Sequence, residues 1–178
     1  MALVTGTDGG DILAGTSDPD VIFSGGARDV VQAGAGDDEI HGGANADRLY
    51  GDDGDDYIEG DASNDKIWGG TGNDTLDGGA QNDRVYGGDG NDVLYGDNPN
   101  DDNDNEGWQD VFVFDNDDGT DKVFDFEAGL DTVELTDGGT YTLAYSGSNT
   151  IMTYGSTTVT FYDELLSDSD ISGATLVV

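Results

Sequence analysis

The chain has 178 residues, with 40 acidic against five basic side chains and a formal net charge of −35. That length allows one domain or a repeat array with a cap, and that charge makes nucleic acid a poor partner. No cysteine and one histidine, His41, exclude disulfides and thiolate metal sites and argue against a zinc-dependent or triad-type catalytic centre.

The chain opens MALVTGTDGGDILAG, without a basic, apolar leader, and no apolar run is long enough to span a membrane. Membrane insertion is therefore not expected, and export would not use a cleaved N-terminal signal. From there a nine-residue period takes over. Asp11, Asp20, Asp29, Asp38, Asp47, Asp56, Asp65, Asp74, Asp83, Asp92, Asp101 and Asp110 recur at that interval. Two residues beyond nearly every one stands an aliphatic side chain: Leu13, Ile22, Val31, Ile40, Leu49, Ile58, Ile67, Leu76, Val85 and Leu94. The acids are 34 Asp against 6 Glu, so the acidity reads as short oxygen ligands close to the backbone. Hard anionic oxygen without nitrogen or sulfur partners points to calcium. The competing reading is that the aspartates only make turns while their charge keeps the protein soluble.

Units such as GDDGDDYIE (51–59), GGTGNDTLD (69–77) and GGDGNDVLY (87–95) divide into a six-residue Gly/Asx turn and a three-residue x-apolar-x strand. Two units close one coil of 18 residues, and strands from alternate units stack into two parallel sheets. Leu13, Val31, Leu49, Ile67 and Val85 face Ile22, Ile40, Ile58, Leu76 and Leu94 across a thin core.

This nonapeptide, G-G-x-G-x-D-x-U-x, resembles the repeats-in-toxin (RTX) family over roughly residues 6–113. The resemblance implies an all-β fold, a right-handed parallel β-roll, with several Ca2+ ions held between turns two units apart. In that family, carbonyls at positions 2 and 4 of one turn and 1 and 3 of the next join both aspartates. On one edge the implied ligands are Gly34, Gly36 and Asp38 with Gly51, Asp53 and Asp56. Next come Asp52, Gly54 and Asp56 with Gly69, Thr71 and Asp74, then Gly70, Gly72 and Asp74 with Gly87, Asp89 and Asp92. On the other they are Gly25, Ala27 and Asp29 with Gly42, Ala44 and Asp47. There follow Gly43, Asn45 and Asp47 with Gly60, Ala62 and Asp65, then Asp61, Ser63 and Asp65 with Gly78, Ala80 and Asp83. Each aspartate would serve two ions, and Asp11, Asp20, Asp101 and Asp110 extend the rows. Position 4 is Gly36, Gly54, Gly72 and Gly90 on the first edge but Ala27, Asn45, Ser63 and Gln81 on the second. The first edge should therefore bind best. Asp18 and Pro19 break the pattern near Asp20.

After Tyr95 the repeat frays into GDNPNDDNDNEG (96–107), where Asn103 replaces the aliphatic residue. Strand runs follow at 110–114, 122–126, 132–135, 141–145, 150–154 and 157–161. The expected division is a roll over 1–104 and a C-terminal β cap over 105–178. The segments DVFVF, VFDFEAGLDTVEL and ATLVV resemble the end region of RTX proteins, which carries an uncleaved signal for the type I secretion machinery. The resemblance thus implies a secreted, non-catalytic module.

Arg48, Lys66 and Arg84 occupy position 7 of alternate units, beside Tyr50, Trp68 and Tyr86 at position 9. Two readings stay open for this face. It binds an acidic polysaccharide such as alginate, as RTX-type R-modules of mannuronan C5-epimerases do, or it is a cross-strand ladder covering the sheet. Neither H-E-x-x-H nor G-x-S-x-G occurs, and His41 reads as a solvent-facing strand residue. The acids at Asp115, Asp117, Asp118 and Asp121 read as a turn.

Overall fold

The computed structural model describes residues 1–97, 107–173 and the backbone of 175–176. In chain order the strands are β1 (Leu3–Thr5), β2 (Ile12–Ala14), β3 (Val21–Phe23), β4 (Val30–Ala35), β5 (Glu39–His41), β6 (Arg48–Asp53) and β7 (Tyr57–Glu59). Then come β8 (Lys66–Thr71), β9 (Thr75–Asp77), β10 (Arg84–Asp89), β11 (Val93–Tyr95), β12 (Val111–Phe114) and β13 (Thr120–Phe124). The last are β14 (Thr132–Leu135), β15 (Thr140–Ser146), β16 (Asn149–Tyr154), β17 (Thr157–Phe161), β18 (Ile171–Ser172) and β19 (Thr175–Leu176). Among the described residues no helix is long and apolar enough to cross a membrane.

Odd-numbered strands β1 to β13 stack in parallel as one sheet, and even-numbered strands β2 to β14, with β18, form the other. Successive coils pair residues 18 apart, as in Leu49↔Ile67 and Ile58↔Leu76, so the fold is a parallel β-roll. One residue of each minimal strand points inward. Ile22, Val31, Ile40, Leu49, Ile58, Ile67, Leu76, Val85 and Leu94 are fully buried between the sheets. At about 25 cal/mol per Å2 of apolar surface, each such rung contributes about 2 kcal/mol. β1 adds a rung before the first full repeat, with Val4 opposite Ile22.

The aspartate period and the spatial ladder part company after Tyr95. β10 pairs directly with β12, placing Phe112 on Val85, so β12 supplies the rung after β10. A polar Asn103 cannot fill the inward position, whereas Phe112 can. Asp101 lies outside the described residues. Asp110 stays in the ladder but follows Asp83, 27 residues back, and thus joins the opposite edge from the one an unbroken period assigns.

Both sheets continue beyond β11. β13 carries Val123 onto Leu94, and β14 carries Val133 onto Phe112. Only β15, β16 and β17 turn antiparallel, with β17 closing in parallel on β13. Phe112, Phe114, Phe126, Phe161, Tyr141 and Tyr154 widen the core there, and none is more than 2% exposed. Their bulk covers the apolar rungs that a bare solenoid end would expose.

Candidate metal centre

The turns are built by hydrogen bonds that repeat once per coil. Oδ1 of each aspartate accepts the backbone N–H of the aspartate one coil earlier, at 2.6 to 2.8 Å for Asp38, Asp56, Asp74 and Asp92. On the second edge the same bond is 2.6 to 2.7 Å for Asp29, Asp47, Asp65, Asp83 and Asp110. One oxygen of each carboxylate therefore already holds the next coil in register.

The other oxygen is left without a partner. Oδ2 of Asp29, Asp38, Asp47, Asp56, Asp65, Asp74, Asp83, Asp92, Asp110 and Asp121 is buried and accepts no hydrogen bond. A single orphaned buried carboxylate oxygen costs several kcal/mol, and ten in two rows demand cations. Five on each edge leave four gaps per edge, eight in all. Position-1 glycines make room for these oxygens. A Cβ at Gly60 or Gly78 would come within 2.9 or 2.8 Å of Asp65 or Asp83 Oδ2, and at Gly51, Gly69 and Gly87 closer still.

The carbonyls stack in step. On the first edge Gly36, Gly54 and Gly72 donate their N–H groups to Asp53, Thr71 and Asp89 carbonyls, each at 2.8 Å. On the second Ala44, Ala62 and Ala80 donate to Gly25, Gly43 and Asp61 carbonyls at 3.0, 3.1 and 2.8 Å. Each such carbonyl keeps one lone pair. Position 4 takes positive φ on both edges: 114°, 140°, 129° and 155° at Gly36, Gly54, Gly72 and Gly90, against 70°, 76°, 94° and 85° at Ala27, Asn45, Ser63 and Gln81. The first set reaches a region that only glycine enters freely; the second is left-handed backbone held at some strain.

Burial sets the electrostatics of the rows. Burial pushes the carboxyls of Asp47 and Asp74 up to about 6, Asp56 and Asp121 to about 7, and Asp65, Asp92 and Asp110 to about 8. Neighbouring carboxylates add to the rise, and the backbone N–H bonds offset it only in part. Protonation or a bound cation relieves such a ladder, and a divalent cation between paired carboxylates keeps them ionised at neutral pH.

Three of the four row ends are closed by protein groups instead. Asp11 Oδ2 accepts from the Thr7 N–H and hydroxyl at 2.7 and 2.8 Å, and Asp20 Oδ2 from those of Thr16 at 2.8 Å each. At the other end Asp131 takes the Asp110 N–H on Oδ1 and the Glu127 N–H on Oδ2, at 2.9 and 2.8 Å. The structure thus places Asp11 and Asp20 in the rows but satisfies their second oxygens internally.

Sequence reasoning missed Asp121 and Asp131 as rungs. Asp121 Oδ1 accepts the Asp92 N–H at 3.0 Å and its Oδ2 is orphaned. The signal was present, since Asp121-Lys122-Val123 and Asp131-Thr132-Val133 repeat the Asp-x-aliphatic spacing at irregular intervals.

The basic column forms as the period requires, with Arg48↔Lys66↔Arg84 and Tyr50↔Trp68↔Tyr86 on adjacent strands. The rings stack on one another, with centroids 4.5 and 5.0 Å apart and planes within 15°. Ring faces therefore cover each other, and edges meet the solvent. Arg84 pairs with Glu134 at 2.6 Å and donates to the Tyr86 hydroxyl, whereas Arg48 and Lys66 stand exposed.

Six overlapping stretches, 5–40, 24–58, 32–67, 41–76, 50–85 and 68–102, match the RTX calcium-binding nonapeptide repeat (4 copies), and together they span more than half of the chain. Among solved structures the chain is similar to the extracellular lipase LipA from Serratia marcescens, at 16% identity and TM-score 0.44, over 96% of this chain and 40% of the lipase. It thus spans about two fifths of that protein. It is also similar to the AlgE6R3 subunit of the Azotobacter vinelandii mannuronan C5-epimerase in solution, at 19% identity and TM-score 0.23, over 93% of this chain and 80% of that one. No curated protein sequence matches it. The repeats are a calcium-binding module that is not itself catalytic, their aligned aspartates fit Ca2+ sites, and the chain belongs to the RTX calcium-binding nonapeptide repeat family.

Proposed function

We propose that this chain is an exported module whose folding is triggered by calcium. The observation that carries the reading is the pair of rows of buried, partnerless Asp Oδ2 atoms. Without cations, the net charge of −35 and those oxygens oppose the compact state. In calcium-poor cytosol the chain stays extended, which suits passage through a type I channel; outside the cell, calcium closes the coils and binding becomes folding energy. On this reading residues 1–104 form the metal-dependent roll and 105–178 close its end, supplying Asp110 and Asp121 to the last gaps. Each implied ion would be held by paired aspartates from successive coils together with the stacked turn carbonyls. Far-UV circular dichroism of chelator-stripped protein during calcium and magnesium titrations tests this. Cooperative gain of β signal with calcium alone supports it, and a stripped chain already folded and indifferent to calcium overturns it.

A second reading, binding of an acidic polysaccharide, is favoured by the exposed, aligned Arg48 and Lys66 on a flat aromatic sheet face. Contact would fall on these cations and on the ring edges of Tyr50, Trp68 and Tyr86, with Arg84 already engaged by Glu134. Calorimetry of calcium-loaded protein with a uronate polymer decides it. Binding that Arg48→Ala with Lys66→Ala abolishes supports a ligand face; no binding leaves a structural and export module.

A further inference from the structure

On the outer surface of the odd-numbered sheet, position 9 runs Phe23, His41, Glu59, Asp77, Tyr95 and Phe124. Phe23 stacks on His41, and Tyr95 on Phe124. Two acids interrupt this column where further aromatics would extend the stack. Beside them, Asp61 sits in the turn after β7 with φ 69°. One ligand atom each from His41, Glu59 and Asp61 lies within 4.8 Å of the others. Asp61 also borders the second calcium row: its carbonyl accepts the Ala80 N–H at 2.8 Å, and its charge acts on Asp47 and Asp65.

The second atom of each group is already held. His41 Nε2 meets Glu39 Oε1 at 3.0 Å, which directs Nδ1 toward Glu59 Oε2 at 2.8 Å. The Tyr57 hydroxyl donates to Glu59 Oε1, and the Gly43 N–H donates to Asp61 Oδ2 at 2.9 Å. Nδ1, Oε2 and Asp61 Oδ1 remain for a common target. A carboxylate behind an imidazole is the arrangement that orients a metal-ligating histidine. A tetrahedral ion with bonds of about 2.0 Å holds its donors about 3.3 Å apart, so it would replace the proton between His41 and Glu59 with a small opening.

Asp77 supplies the independent observation. It pairs with Glu59 on the next rung and is only 5% exposed, and its Oδ1 accepts no hydrogen bond. The charges of Glu59, Asp61 and Asp97 all act on it, so this buried oxygen lies in the same acidic neighbourhood. An imidazole nitrogen among carboxylates suits first-row dications better than calcium.

We propose that the side chains of His41, Glu59 and Asp61, backed by Asp77, form a surface site for a zinc-class dication that borders the second calcium row. The test rests on the calcium-dependent roll being folded, so it is run in saturating calcium with circular dichroism recorded on the same sample. Zinc is titrated while the 15N resonances of the one imidazole are followed. One equivalent of zinc should shift the Nδ1 resonance, and His41→Asn should weaken uptake of that equivalent 10- to 100-fold while the β signal stays unchanged. Glu39→Gln should weaken it less. A folded protein whose imidazole does not respond to zinc, or zinc uptake equal in His41→Asn and the parent, overturns the site. Loss of β signal in calcium would instead count against the calcium-coupled fold.

Discussion

Replacing Asp74 by asparagine should have opposite effects with and without calcium. Asn keeps the shape and an oxygen to accept the Asp56 N–H, now 2.8 Å from Asp74 Oδ1, but removes the charge. Burial raises the Asp74 carboxyl from 3.8 to about 6, so its contribution to the metal-free roll is full below 3.8 and is lost as pH rises through 6. At about 1.36 kcal/mol per unit that is roughly 3 kcal/mol, or about 2 kcal/mol after solvent screening. In chelator at pH 7.5, Asp74→Asn should therefore favour the compact state by about 2 kcal/mol. In calcium it should do the reverse. Asp74 borders two gaps, toward Asp56 and toward Asp92, and a lost ligand charge costs at least about tenfold in affinity at each. Chelator-buffered titrations followed by circular dichroism, with calorimetric ion counts, should show a midpoint at least tenfold higher and two fewer ions. Equal midpoints and equal counts in the variant and the parent would refute the assignment of Oδ2 as a ligand atom.

In chelator, lowering the pH should substitute for metal. Asp56, Asp65 and Asp92 have folded values of about 7, 8 and 8, all raised by burial, so protonation favours the compact state. Circular dichroism should show β signal near pH 4 that disappears between about pH 6 and 8, and a signal growing with pH would contradict this. Thr16→Val removes the hydroxyl that satisfies Asp20 Oδ2, at a cost of about 1–2 kcal/mol in the first coils. Hydrogen exchange should accelerate in β2 and β3 while the calcium count stays unchanged. Gly72→Ala places a Cβ inside van der Waals contact of the Gly54 carbonyl at φ 129° and should cost about 3 kcal/mol or more. Ser63→Gly relieves φ 94° on the other edge and should raise the melting temperature of the calcium-loaded protein by several degrees.

Fold and candidate site were legible where the period is strict, because period and chemistry coincide there. The Asp-x-aliphatic unit fixes both the inward residue and the carboxylate, so the core from Ile22 to Leu94 and the pairing of Arg48 with Lys66 and Arg84 follow from counting by nine. Counting fails after Tyr95, where packing decides instead. Phe112 takes the rung beyond Val85 because it can fill the core, and Asp110 changes edge with it. The same shift hides Asp121 and Asp131, whose spacing to Val123 and Val133 is regular although their interval is not. Nor does the sequence distinguish an occupied carboxylate from a satisfied one. Thr7 and Thr16 stand at turn position 2, and only the folded coil brings their hydroxyls onto Asp11 and Asp20. Ring stacking on the basic face likewise depends on side-chain planes that no period encodes.

Anomalous diffraction from crystals grown in calcium tests the metal rows most directly. The expected result is calcium peaks in two rows along the roll edges, bonded at about 2.3–2.6 Å to the Oδ2 atoms between Asp29 and Asp110 and between Asp38 and Asp121. No peak is expected at Asp11 Oδ2, which Thr7 already satisfies. A folded roll with waters or protons at those oxygens and no calcium between the turns would contradict the claim that the ions hold the coils together.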